Sequence, residues 1–206
     1  MKVFDAKHIK NLVLLGSPKS GKTTLAETML FEAGLTTRRG TIEDKNTLSD
    51  YHEIEHEREG SVYSTPLHTE WRNYKINIID TPGLDDFMGE VASSIRVANT
   101  SLMLINAQHG VEVGTDLIWN YIDRYQKPLL FAINQLDHPK ADFQASLESL
   151  VDHYGSAVTV MQYPLNPGEG FNQIIDLLKM TMYEFGPDGG KPEKKRIPEY
   201  GGGESY

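Results

Sequence analysis

The run Gly16-Ser17-Pro18-Lys19-Ser20-Gly21-Lys22-Thr23 fits the spacing G-x-x-x-x-G-K-[ST], a loop whose backbone N–H groups can ring a phosphate. The two glycines let the amides turn inward, Lys22 can reach the outer phosphates, and the Thr23 hydroxyl can hold Mg²⁺. Thr24 continues the same turn. The apolar run Asn11-Leu12-Val13-Leu14-Leu15 reads as a buried strand entering the loop. Behind it Leu25, Ala26, Met29, Leu30 and Ala33 recur at helical spacing, with Gly34 as the stop. A helix N-terminus at that point adds a field that favours an anion. Strand, loop and helix together read as a nucleotide phosphate site.

Two more stretches can complete such a site. Asp80-Thr81-Pro82-Gly83 follows an apolar run; Asp80 can reach a Mg²⁺ shell through water, and the Gly83 N–H can meet a γ-phosphate. Alone this is a tight turn; beside 16–23 it is a second phosphate station. Asn134-Gln135-Leu136-Asp137 fits N-x-x-D. The Asp137 carboxylate can accept hydrogen bonds from N1 and N2 of guanine, a donor pair that adenine lacks. Asn134 would approach the base from its other edge and tie this loop to the phosphate loop. GTP or GDP is therefore favoured over an adenine nucleotide. His52 and His56 stand four apart in a polar segment without the general-base pattern of a zinc enzyme, so they read as solvated loop residues.

These loops need a scaffold that delivers them to one edge. Strands are expected over 11–15, 75–80, 101–106 and 128–134. Helical stripes run through Phe87, Val91, Ile95 and Ala98, then Leu117, Ile118, Tyr121, Ile122 and Tyr125, then Phe143, Leu147, Leu150, Val151 and Tyr154. The alternation predicts an α/β P-loop NTPase fold, a mainly parallel sheet with helices on both faces. Ligands then gather at the carboxyl ends of the strands, where each station lies. Between Gly34 and Arg72 the periodicity disappears. A long polar loop directly after a phosphate-binding helix reads as a nucleotide-sensing switch.

With 206 residues the chain has room for one such domain and the start of another. A net charge of −9 argues against bulk attraction to DNA or an anionic membrane. The absence of cysteine excludes a disulfide framework and thiolate metal sites. No apolar run reaches signal-peptide or membrane-spanning length, so a cytoplasmic monomer away from membranes is expected.

These residues resemble the GTP-binding domain of elongation factor G, the ribosomal translocase. The resemblance covers almost the whole chain. It is carried by 16–23, Glu55-His56-Glu57-Arg58, Lys75-Ile76-Asn77-Ile78-Ile79-Asp80-Thr81-Pro82-Gly83, Asp86-Phe87, and Asn134 with Asp137. Met161-Gln162-Tyr163-Pro164-Leu165 and Ile174-Ile175-Asp176-Leu177-Leu178-Lys179-Met180 look like the start of an insertion this family carries. The resemblance implies a GTP-binding core over 1–157 and an insertion beginning at 158–206, with a mobile tail at 186–206. It implies GTP, GDP and Mg²⁺ as ligands and the ribosome as partner of the full-length protein. Lys22, Thr23 and Asp80 then look like the phosphate and Mg²⁺ residues. Counted back from Asp80, the family's Mg²⁺-completing switch threonine falls on Ser61. The family's last strand and Ser-Ala loop are missing, which implies a piece of a longer protein. Gly155-Ser156-Ala157 precedes a strand rather than following one. Asn166-Pro167-Gly168-Glu169-Gly170, ahead of a helix, could locally mimic that loop, although the resemblance puts it in the insertion.

The sequence departs from the family at telling positions. Lys19 replaces an aspartate that helps hold a monovalent cation against the phosphates, Glu59 replaces a switch glycine, and Gln135 replaces the lysine whose stem covers the base. Leu84 replaces the histidine that orients the attacking water. The implied protein is a divergent elongation factor G-like GTPase with weak or altered hydrolysis. A ribosome-protection or release role stays open, as does a GTP-binding module without hydrolysis. Leucine has no group to orient water. Leu84→His, assayed with ribosomes, is therefore expected to raise GTP turnover, and a native rate already matching that of a housekeeping translocase would exclude the weak-hydrolysis reading.

Overall fold

The computed structural model describes residues 3–83, 85–187 and 190–197. Leu84 lies outside these residues, as do 188–189 and 198–206 of the expected mobile tail. The central sheet is built from β1 (Ile9–Leu15), β2 (Thr65–Trp71), β3 (Tyr74–Asp80), β4 (Thr100–Asn106) and β5 (Leu129–Asn134). Its order is β2-β3-β1-β4-β5. Only the β2–β3 pair is antiparallel; β3–β1, β1–β4 and β4–β5 are parallel.

Alternation along β1 supplies both layers of the core. Val13 and Leu15 join Met103 and Ile105 on one face, where α3 (Met88–Val97), α4 (Val113–Tyr125) and α5 (Phe143–Tyr154) deliver Ile95, Ile118 and Leu150. Leu14 points the other way, with Ile78, against Ala26 of α1 (Lys22–Glu32). A central strand buried on both faces reads as a continuous apolar run, as this one does. The registers Leu14↔Asp80 and Asn106↔Asn134 bring the strand ends level at one edge of the sheet. The loops after β1, β3 and β5 therefore open side by side.

Two parts of the chain differ from the sequence expectation. The stretch after Gly34 is not wholly irregular: it holds a one-and-a-half-turn helix α2 (Glu53–Arg58) and the edge strand β2. β2 alternates weakly because as an edge strand it buries only Thr65 and Thr69 fully, and a threonine pair carries little hydrophobic signal. The segment following Gly170 is a strand rather than a helix, β7 (Gln173–Asp176), its β-branched Ile174 and Ile175 suiting a pleated surface. It lies in a second, antiparallel sheet β6-β7-β8-β9, with β6 (Gln162–Leu165), β8 (Thr181–Glu184) and β9 (Glu193–Lys195). β9 falls within the stretch expected to be mobile; it pairs with β8, and Lys195 bonds Glu184 at 2.8 Å.

Candidate functional site

The loop after β1 is shaped by its own sequence. Gly21 caps α1 with φ at 95°, a left-handed conformation that side-chain-bearing residues disfavour. A Cβ there would also stand 2.5 Å from Asn134 Nδ2, so glycine is what lets the loop after β5 approach. Lys22 is buried, and its Nζ donates to the carbonyls of Gly16 and Ser17 at 2.9 and 3.0 Å. Burial lowers its pKa to about 8, against the opposing charges of Asp80, Asp50 and Glu112. Ser17 and Ser20 are buried with their hydroxyl oxygens unpaired by protein, while Pro18, Lys19 and Thr24 are exposed.

Thr23 is the meeting point. Its hydroxyl donates to Asp80 Oδ2 at 2.7 Å and lies 3.3 Å from Ser61 Oγ. The structure thus brings Thr23, Asp80 and Ser61 together, although Ser61 and Asp80 stand 38 and 57 residues beyond Thr23 in the chain. Asp80 Oδ1 finds no protein partner. Burial raises the Asp80 pKa to about 6, with the Thr23 hydroxyl and the Lys22 charge pulling it back. Gly83 reaches the same place: a Cβ on it would lie 2.6 Å from Lys22 Nζ and 2.8 Å from Pro18 N. A cavity of about 490 Å³ opens between Pro18, Gly83 and Glu112. The larger groove, about 1060 Å³, lies elsewhere, beside Leu130, Leu147 and Ile174, and is lined mainly by apolar side chains.

The loop after β5 is tied to the phosphate loop. Asn134 Nδ2 donates to the Ser20 carbonyl at 2.9 Å, and Gln135 Nε2 to the Lys19 carbonyl at 2.8 Å. Asp137 is exposed and makes no hydrogen bond among the described residues. The loop at 166–170 docks on this one, with the Gly168 N–H donating to the Leu136 carbonyl at 2.7 Å. Lys19 and Glu59 form no ion pair with each other in the described residues.

Sequence reasoning missed the carboxylates that hold the segment between α1 and β2. Glu27, 1% exposed, accepts from the N–H groups of Gly40 at 3.1 Å and Leu48 at 2.5 Å. Glu55, equally buried, accepts from Val62, Tyr63 and His52 at 3.0, 3.2 and 3.2 Å, and Glu90 from Ser64 at 3.0 Å. Glu55 pairs with His52 as a capping box, but histidine is not among the residues that mark such a box in a sequence. Glu27 has no signal either, because glutamate on a helix is ordinarily solvated. Asp50 was also missed: both its oxygens are buried, and burial raises its pKa, with the Ser61 hydroxyl pulling it back.

Comparison with known proteins agrees with this geometry. The chain matches the Elongation factor Tu GTP binding domain over residues 7–187 and belongs to that family. Elongation factor G of Mycoplasma pneumoniae is 34% identical over 201 residues, 96% of this chain and 29% of that protein. The Elongation factor G-like protein of Thermotoga maritima is 31% identical over 193 residues, 94% of this chain and 27% of that protein. The mitochondrial Ribosome-releasing factor 2 of Danio rerio is 33% identical over 174 residues, 84% and 23% of the two chains. A crystal structure from Thermus thermophilus superposes with a TM-score of 0.86 at 29% identity, over 93% of this chain and 28% of that one. The fold is thus that of an elongation factor G-like GTP-binding domain, and the chain spans less than a third of these relatives.

The buried glutamates make a stability prediction. Glu27→Ala leaves two backbone donors without partners, each costing roughly 1–3 kcal/mol. The variant is expected to be destabilised by about 2–6 kcal/mol in urea melts, and limited proteolysis should cut first between 36 and 50. A variant as stable and as protease-resistant there as the native chain would show that Glu27 does not hold the segment.

Proposed function

We propose that this chain is the nucleotide domain of a longer, ribosome-acting elongation factor G-like protein that binds GTP and GDP with Mg²⁺ and hydrolyses GTP slowly. One observation carries the reading: Thr23, Asp80 and Ser61 converge beside Lys22 while Asn134 ties the N-x-x-D loop to the same phosphate loop. In this reading 16–23 cradles the phosphates, Gly83 approaches the outermost one, and Asn134, Gln135 and Asp137 hold the base. The Thr23 and Ser61 hydroxyls with the free Asp80 oxygen offer an all-oxygen donor set of the kind Mg²⁺ takes, and Asp50, beside Ser61, adds a second carboxylate. When bound, the ion neutralises phosphate charge. Lys22, held buried, adds a fixed positive charge.

The slow-hydrolysis part rests on Leu84 in the sequence. A release role is the second reading, favoured by the likeness to Ribosome-releasing factor 2. The proposed division into a core to 157 and an insertion from 158 is supported by the two separate sheets. Among the described residues no helix is long and apolar enough to cross a membrane; a cytoplasmic place is proposed from the relatives' roles in translation.

Guanine selection by Asp137 is tested by Asp137→Asn. Losing the carboxylate pair should cost roughly 1–3 kcal/mol in guanine-nucleotide binding and shift preference toward xanthine nucleotides. Unchanged guanine affinity by calorimetry would refute the assignment.

Lys19 is proposed to stand where relatives of this type would hold a monovalent cation. Its ammonium has no hydrogen-bond or ion-pair partner among the described residues, and it belongs to the loop that meets the phosphates in this reading. Two unit charges about 4 Å apart repel by roughly 4 kcal/mol at an effective dielectric near 20, so lysine and ion exclude each other. GTP-analogue affinity of the native protein is expected to be the same in potassium, sodium and a bulky organic cation, with potassium dependence appearing in Lys19→Asp. Strong potassium dependence of the native protein would end this proposal.

A further inference from the structure

We infer that Asn106, outside every motif named above, is a positioning residue for the nucleotide: acting through Gln135, it sets how the base loop grips the phosphate loop. Asn106 is the last residue of β4, is 7% exposed, and lies in register with Asn134 of β5. Its side-chain oxygen accepts the Gln108 N–H at 2.8 Å. A backbone N–H can only donate, so that contact fixes which end of the Asn106 amide points where. Nδ2 must face Gln135, and it meets Gln135 Oε1 at 2.8 Å. Gln108 Nε2 approaches the same oxygen at 3.4 Å. Gln135 is left with Nε2 for its other side, and this donates to the Lys19 carbonyl at 2.8 Å.

Polarity therefore runs in one direction, from a buried residue of a central strand to the middle of the phosphate loop. All four polar atoms of the two amides are used. Both residues at the far end, Gln135 and Lys19, hold left-handed backbone conformations, with φ at 61° and 60°, which non-glycine residues disfavour. The hydrogen bond between them spans these two constrained points. With Asn134 on Ser20, it makes a second tie between the loops. On the guanine-nucleotide reading above, loosening it would free the base loop from the phosphate loop and speed nucleotide release.

Shape-conserving changes separate positioning from packing. Asn106→Asp keeps the outline but removes the donor. Gln135 must then turn Nε2 toward the carboxylate, which brings Oε1 against the Lys19 carbonyl. Gln135→Lys removes the acceptor, so donors face donors at Asn106. Together the two changes restore complementarity, because an ammonium can donate to both the carboxylate and the Lys19 carbonyl.

The test is the dissociation rate of a fluorescent GDP analogue from the 206-residue chain, measured by stopped flow beside thermal melts. Asn106→Asp is expected to speed release about tenfold, the loss of one hydrogen bond's worth of grip; Gln135→Lys loses the same bond while adding a stem that can cover the base, so it is read against the double variant, which is expected to return within about threefold of native. Unchanged release in the singles, or a double variant whose acceleration is the product of the two, would overturn the inference. If a charged single does not fold, Asn106→Ala and Gln135→Ala give the same decision: the second alanine should add little to the first, and multiplying effects would overturn it. A native chain that binds the analogue but is indifferent to these substitutions overturns this inference alone. A native chain that binds the corresponding adenine analogue in preference to the guanine one overturns the guanine reading and this inference with it.

Discussion

The hydrogen bond from the Thr23 hydroxyl to Asp80 is buried and 2.7 Å long. It joins the start of α1 to the end of β3, and it sits where an ammonium and two carboxylates are withdrawn from water. Removing ions from water costs several kcal/mol each unless they are paired. Here the compensation is incomplete: Asp80 is pushed up to about 6 and Lys22 down to about 8 by burial, each against the other's attraction. Asp50 is raised as well by burial, with only the Ser61 hydroxyl and nearby positive charge pulling it back. Such a cluster holds together because apolar layers lie on both faces of β1 and fix its end. Charge carried at this expense suits a site meant for ions. In the proposed complex, phosphates supply the anion that Lys22 faces and Mg²⁺ the cation that the carboxylates face.

The segment between α1 and β2 is held by the same chemistry turned inward. Glu27 and Glu55 are buried acids whose partners are backbone N–H groups rather than cations. Hydrogen bonds of this kind hold a carboxylate without needing a cationic side chain. They also place Ser61 within reach of Thr23. The segment is therefore held by a few specific bonds and little apolar burial, the condition under which a stretch of chain opens at lower free energy than the core. That is the physical basis for treating it as a switch.

Most of the sheet, and the loops that follow β1, β3 and β5, could be read from the sequence, because buried strands and glycine-bracketed loops write their constraints in residue type. Leu12 to Leu15 could hardly lie anywhere but in a core strand, and Gly21 hardly anywhere but at a close approach. What escaped was set by tertiary contacts without a local signature. β2 exists because its backbone pairs with β3, whatever its side chains. β7 is a strand because β6 and β8 flank it; its few apolar residues fit either period. Glu27 and Asp50 are buried only because distant loops fold over them.

The departures from the elongation factor G pattern read in the sequence as separate substitutions, yet two of them touch. On the resemblance, Gln135 replaces a base-covering lysine and Lys19 an ion-holding aspartate; Gln135 Nε2 bonds the Lys19 carbonyl. The side chain at 135 thus bears on the backbone that carries the side chain at 19. A lysine at 135 could still donate to that carbonyl, but it could not accept from Asn106. The neutral amide therefore keeps the tie to β4 as well as the one to the Lys19 carbonyl. The loops after β1 and β5 are thus joined through one neutral amide, which accepts from Asn106 of β4 on one side and donates to the Lys19 carbonyl on the other.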